Sequence, residues 1–138
     1  MSRKLDDLDS RFKPVAMELL ARCIEISAPV LIITTGRTVD EQKEAVANKV
    51  SWTMNSKHLP QPPEGKSLAI DICPFDQFML SGPDKLQWDE KDPVWQKIGA
   101  IGVSLGLKWG VVIKGRHCDL GHFEYVAQGI APSHGNIA

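Results

Sequence analysis

Four histidines, His58, His117, His122 and His134, are the side chains of this sequence best suited to bind a metal or move a proton near neutral pH. Two of them have informative neighbours. Ser56-Lys57-His58 is followed, after a proline-rich loop, by Ala69-Ile70-Asp71, and Asp71 interrupts the apolar stretch Leu68–Cys73. A carboxylate there is costly to bury unless a positive charge compensates it; the alternative is a strand-edge aspartate facing water. Asp119-Leu120-Gly121-His122 sets a carboxylate three residues before an imidazole, with Gly121 free to bend the chain between them. A plain turn leading into an edge strand would also fit. Two imidazoles and one carboxylate make a three-ligand zinc set with the fourth position open. A further carboxylate nearby can then act as the general base. Thr35-Gly36-Arg37-Thr38 adds an arginine whose forked donors suit an oxyanion or a substrate carboxylate. Its structural alternative is a surface ion pair with Asp40 or Glu41. His117, two residues before Asp119, competes as a ligand on residue type alone.

The elements that must position these groups can be read from periodicity. Phe12, Val15, Ala16, Leu19, Leu20, Cys23 and Ile24 form one helical stripe over Asp9–Ile26, with Ser10 as a cap and Pro14 in the first turn. Pro29 blocks further helix, and the β-branched run Val30–Thr35 reads as a buried strand. Thr38-Val39-Asp40-Glu41 is a capping-box pattern opening a helix from Val39 to Lys49. Ser51–Lys66 reads as a loop and Ser67–Ile72 as a strand stopped by Pro74. Phe75–Lys91 is irregular, with a turn at Gly82-Pro83. Asp92-Pro93 opens a third helix with a face of Val94, Trp95, Ile98, Ile101 and Leu105, ended by Gly106. Leu107–Val112 and Leu120–Val126 read as further strands, and the tail Gln128–Ala138 is weakly patterned. No repeat or linker divides the chain, so a single domain spanning 1–138 is expected, without a separate binding domain.

Composition narrows the function classes. At 138 residues and 43% hydrophobic content a core can form without disulfide staples. Sixteen basic against 17 acidic residues leave no basic excess to suggest nucleic acid or a membrane surface as partner. Cys23, Cys73 and Cys118, odd in number and without a CxxC pair, favour reduced thiols. The residues after Met1 turn acidic where a signal peptide turns apolar, and the longest apolar run, near Ala28–Ile33, falls far short of the ~20 residues of a membrane span. Synthesis in the cytoplasm, without a signal peptide, is therefore expected.

The order Gly-Arg, Ser-x-His, Ala-x-Asp, Trp-Gly, Asp-x-x-His resembles the peptidoglycan-cleaving zinc peptidases, which include D-alanyl-D-alanine carboxypeptidases and dipeptidases and the L-alanyl-D-glutamate endopeptidases of bacteriophages. The matching segments are Thr35–Gln42, Ser56–His58, Ser67–Asp71, Gly106–Gly110 and Asp119–Glu124, covering about residues 30 to 125. The resemblance implies that His58, Asp71 and His122, rather than His117, bind one Zn²⁺ per chain. It implies that Asp119 takes the proton of the attacking water, that Arg37 supports the scissile carbonyl's developing charge, that Ser56 stands beside the first ligand as a further catalytic-site residue, and that Trp109 lies close to the site. Two departures stand out. The first ligand usually precedes the aspartate by seven residues, and here His58 precedes Asp71 by thirteen because Leu59–Lys66 lengthens the loop, with Ser67 where a glycine is usual. Val111 replaces a second glycine after Trp-Gly and would narrow the groove.

The expected fold is α+β, a small mostly antiparallel sheet with helices packed on one side and the zinc site on the sheet face. The expected function is hydrolysis of a peptide bond in a peptidoglycan stem peptide, as an L-alanyl-D-glutamate endopeptidase acting as a phage or prophage endolysin, a monomer that reaches the cell wall once released from the cytoplasm. The alternatives are a D-alanyl-D-alanine carboxypeptidase or dipeptidase and, in another class, a non-catalytic zinc-binding domain on the same scaffold, as in the related hedgehog signalling fold.

Overall fold

A computed structural model describes residues 1–49, 51, 53–78, 82 and 85–127. Pro83 of the expected turn and the tail Gln128–Ala138 lie outside the described residues. In chain order the elements are α1 (Lys13–Glu25), β1 (Val30–Thr34), α2 (Val39–Ala47), β2 (Ala69–Pro74), α3 (Val94–Ser104), β3 (Lys108–Ile113) and β4 (Arg116–Glu124). The four strands form one antiparallel sheet in the order β1-β2-β4-β3. The fold is α+β, as the sequence leads one to expect.

Strand alternation sorts the sheet into two faces. Ile70 pairs with Phe123 across β2 and β4, and both are fully buried with Ile72 among Phe12, just before α1, Leu19 and Cys23 of α1, and Trp95 and Ile98 of α3. Each fully buried large side chain there stabilises the fold by about 1.5–3 kcal/mol. One residue out of phase, Asp71 pairs with His122 and Ala69 with Glu124. These side chains belong to the opposite face.

Local signals decide some boundaries and distant partners decide others. The Thr38–Glu41 capping box forms, with Thr38 Oγ1 accepting from Glu41 N at 3.1 Å and Glu41 Oε1 accepting from Thr38 N at 2.9 Å. At α1 the expectation fails. Ser10 does not cap, because its backbone N–H and hydroxyl both donate to Glu64 in the lengthened loop, and the helix opens only at Lys13 with Phe12 before it. The second strand begins two residues later than expected and includes Pro74, which sits opposite Val30. The last strand begins at Arg116, before the expected Leu120. Lys114 (φ 52°) and Gly115 (φ 77°) form a tight hairpin that joins β3 directly to β4.

Candidate active site

The site is built where β4 departs from regular pairing with β3. Trp109 pairs with Phe123 and Val111 with Cys118, so β3 advances two residues while β4 advances five. The excess on β4 is a bulge that carries Asp119 and leads into His122. Asp119 takes the left-handed conformation at φ 57°, which aspartate tolerates better than most residues. Gly121 is therefore not the bend that its place between Asp119 and His122 suggests. It is required for close approach, since a Cβ there would lie 2.3 Å from the Ile72 carbonyl oxygen of β2. Opposite the bulge Gly110 (φ 62°) faces Cys118 O and His117 Nε2, each 2.7 Å from where its Cβ would be. Trp109 braces the bulge by donating its indole N–H to Leu120 O at 2.8 Å. His117 donates from Nε2 to Trp109 O at 2.8 Å and packs edge-on to the indole, away from the ligand cluster.

His58 arrives from the loop after α2. Its Nδ1–H donates to Thr35 O at 2.7 Å, and its backbone N–H donates to Ser56 Oγ at 3.1 Å. The extra residues after it do not displace it, because Leu68 N donates to Lys57 O at 2.9 Å and closes the loop at its neck. Ser67 fits where a glycine is usual. Its buried hydroxyl lies 2.8 Å from Thr35 O, the same carbonyl that holds His58.

These elements bring His58, Asp71 and His122 together, with one candidate ligand atom from each within 4.8 Å of the others. Asp71 Oδ2 is 3.1 Å from His58 Nε2, and Asp71 Oδ1 is 2.9 Å from His122 Nδ1. His58 Nε2 is buried and has no hydrogen-bond partner. An orphaned imidazole nitrogen beside a carboxylate and a second imidazole is a donor set that suits a zinc ion. Charge is strongly coupled here. Burial opposes ionisation of Asp71, but the hydrogen bond and positive charge of His122, with His58 close by, outweigh it and hold the carboxyl well below its usual range. Burial likewise opposes charge on His122, yet Asp71 and Glu124 together hold its imidazolium up to about 10.

Arg37, 8% exposed, makes no ion pair with Asp40 or Glu41. Its Nη2 lies 3.8 Å from Asp71 Oδ2 and its Nη1 donates to Gln42 Oε1 at 3.1 Å. The fully buried Gln42 in turn donates to Ser51 Oγ and Thr53 O. Asp119 stands at the rim of the same cleft, a cavity of about 400 Å³ that also reaches Ser56, Trp88 and Val111. Asp119 is itself exposed, yet partial desolvation against the cleft, followed by the negative charge of Asp71, raises its carboxyl above the usual value. Sequence reasoning missed two residues. Gln42 stands five after Arg37 on the buried side of α2, and Glu124 stands two after His122, the spacing that returns a strand to the same face. Glu124 Oε1 lies 2.9 Å from His122 Nε2.

Residues 1–126 match the family of phage L-alanyl-D-glutamate peptidases. The chain belongs to this family. It is thus a peptidase of the peptidoglycan-cleaving kind, and the cleft just described is its candidate active site. Among solved structures the chain is similar to the L-Ala D-Glu endopeptidase ChiX of Serratia marcescens, with a TM-score of 0.62 and 19% identity over 88% of this chain and 83% of that one. At that identity the likeness speaks for the fold. No curated protein matches the chain. Among the described residues no helix is long and apolar enough to cross a membrane.

Proposed function

We propose that this chain is a zinc-dependent endopeptidase that cleaves the L-alanyl-D-glutamate bond of peptidoglycan stem peptides and serves as a phage or prophage endolysin, one zinc to each chain. The observation that carries the reading is the convergence of His58, Asp71 and His122 in the same cleft as Asp119 and Arg37. The family supports the substrate.

In this reading His58, Asp71 and His122 hold the zinc, which when bound supplies Lewis-acid polarisation of the scissile carbonyl. Asp119 takes the proton of the attacking water and returns it to the leaving amine. Its raised carboxyl suits a group that must both accept and release a proton. Arg37, held by Gln42, donates to the carbonyl oxygen as charge develops on it. Ser56 holds the backbone of His58 and so keeps the first ligand in place. Val111 and Trp88 give the cleft apolar walls on the substrate side.

Digestion of purified peptidoglycan, with mass spectrometry of the new termini, tests this. Fragments with a new free α-amine on D-glutamate are expected, with loss on chelation and return on adding zinc. Release of free D-alanine would instead identify a carboxypeptidase. A zinc-loaded protein that leaves the wall intact would identify a non-catalytic binder. Coexpression with a protein that permeabilises the inner membrane tests the lytic role, with lysis expected for wild type and none for Asp119→Asn.

A further inference from the structure

His122 is held from both sides. Asp71 Oδ1 meets its Nδ1 at 2.9 Å and Glu124 Oε1 meets its Nε2 at 2.9 Å. The two carboxylates reach the ring from different strands. Asp71 lies opposite His122 on β2, whereas Glu124 is two residues further along β4, on the same face. Across the strand pair, the residue beside Glu124 is the fully buried Ala69, whose small side chain leaves room for the glutamate to lie over the ring edge. The pair is well shielded, with side-chain exposures of 9% for His122 and 17% for Glu124.

The two imidazoles of the cluster then differ in an instructive way. His58 has its Nδ1–H fixed by the Thr35 carbonyl and offers Nε2 toward Asp71. His122 has its Nε2 fixed by Glu124 and offers Nδ1 toward Asp71. A metal-ligating imidazole is neutral, with a lone pair on one nitrogen and a proton on the other, and the acceptor at the far nitrogen decides which is which. The far nitrogens of both rings already have acceptors, and both near nitrogens converge on one carboxylate. Glu124 faces the side of the ring away from Asp71 and does not join the ligand cluster.

We propose that Glu124 is a positioning residue, fixing His122 in the Nε2–H tautomer and ring orientation that present Nδ1 to the metal. The inference rests on the zinc reading above. It is tested with purified full-length chain by zinc titration against a competing chelator, for wild type, Glu124→Gln and Glu124→Ala, alongside the ¹⁵N signals of the His122 ring in the zinc-loaded protein. Glu124→Ala should bind zinc ~10–100-fold more weakly, as removal of such an outer partner does elsewhere. Glu124→Gln, whose amide oxygen still accepts from Nε2–H, should recover part of that loss. The wild-type ring should carry its proton on Nε2. A merely structural role would lower the thermal midpoint of the metal-free protein and leave the zinc affinity of the folded fraction unchanged. Both variants binding within twofold of wild type would overturn the role of Glu124 while leaving the zinc site standing, as would a zinc-loaded His122 protonated on Nδ1. If Glu124→Ala fails to fold, Glu124→Gln and the wild-type ring signals still decide. Wild type that takes up no zinc would overturn the zinc reading itself, a different outcome from unequal or equal binding among the variants.

Discussion

Replacing Arg37 by alanine separates chemistry from architecture, because the structure gives the guanidinium a part in each. One donor bonds Gln42 Oε1 at 3.1 Å in a buried setting, and another approaches Asp71 at 3.8 Å. Loss of a charge-assisted bond to a buried acceptor, which is then left unpaired, costs about 1.5–3 kcal/mol. For a chain of 138 residues one kcal/mol corresponds to about 3–4 °C in the thermal midpoint, so Arg37→Ala should unfold ~5–10 °C lower. Loss of a donor to the developing oxyanion removes a further ~2.7–4 kcal/mol from the transition state alone, a ~10²–10³-fold drop in turnover measured where the variant is folded. Zinc content should not fall, since a cation close to Asp71 repels a metal rather than holding it. Arg37→Lys keeps the charge without the planar fork and should restore stability better than turnover. The assays are thermal denaturation, metal analysis and release of new amino termini from peptidoglycan at 25 °C. Turnover within threefold of wild type in folded, zinc-loaded Arg37→Ala would refute the oxyanion role and leave Arg37 as a brace for Gln42.

Other outcomes follow from the same geometry. His122→Ala should lose bound zinc, whereas His117→Ala, which removes the bond to Trp109 O and the packing on its indole but no member of the cluster, should keep it together with at least a tenth of the activity; metal analysis after gel filtration checks both. Asp119→Asn should retain zinc and fold but lose ~10²–10⁴-fold in turnover, and loss of zinc would make Asp119 a ligand instead. Burial pushes the Cys23 thiol up to about 11 and the Cys73 thiol up to about 12. Both should therefore resist alkylation at pH 8.5 until the chain unfolds, while the half-exposed Cys118 reacts. Because these two thiols ionise more readily unfolded than folded, their effect on stability should be flat below pH ~9 and destabilising above it, seen as a thermal midpoint that falls with rising pH.

The parts of this fold legible in the sequence were those governed by neighbours along the chain. The Thr38–Glu41 box, the Asp92-Pro93 helix start and the β-branched run of β1 announce themselves within a few residues, and all form. The start of α1 does not, because Glu64, 54 residues from Ser10, occupies the capping side chain. The hairpin at Lys114-Gly115 carries no clear sequence signal, because a lysine, not the usual asparagine or aspartate, takes the first left-handed position. At the site, ligand types could be read but their aim could not. The orientation of His58 depends on a backbone carbonyl, Thr35 O, which no side-chain pattern reveals. Trp109 is readable as a residue near the site, yet its contribution is a bond to Leu120 O that exists only because β4 bulges.

The loop between the first two members of the cluster has a consequence for engineering. Its neck is tied by Leu68 N to Lys57 O, its base by Gln61 N to Lys66 O at 3.0 Å, and its tip, Pro62–Gly65, is exposed and tethered only through Glu64, which accepts from Ser10. A segment closed below its tip transmits little of what is added above it, and doubling the length of a flexible loop costs only ~0.6 kcal/mol. The tip is thus a natural acceptor for grafted sequence. A short wall-binding peptide or an affinity tag inserted between Pro62 and Pro63, so that Glu64 keeps its bonds to Ser10, would ride on the enzyme while His58 and Asp71 keep their spacing.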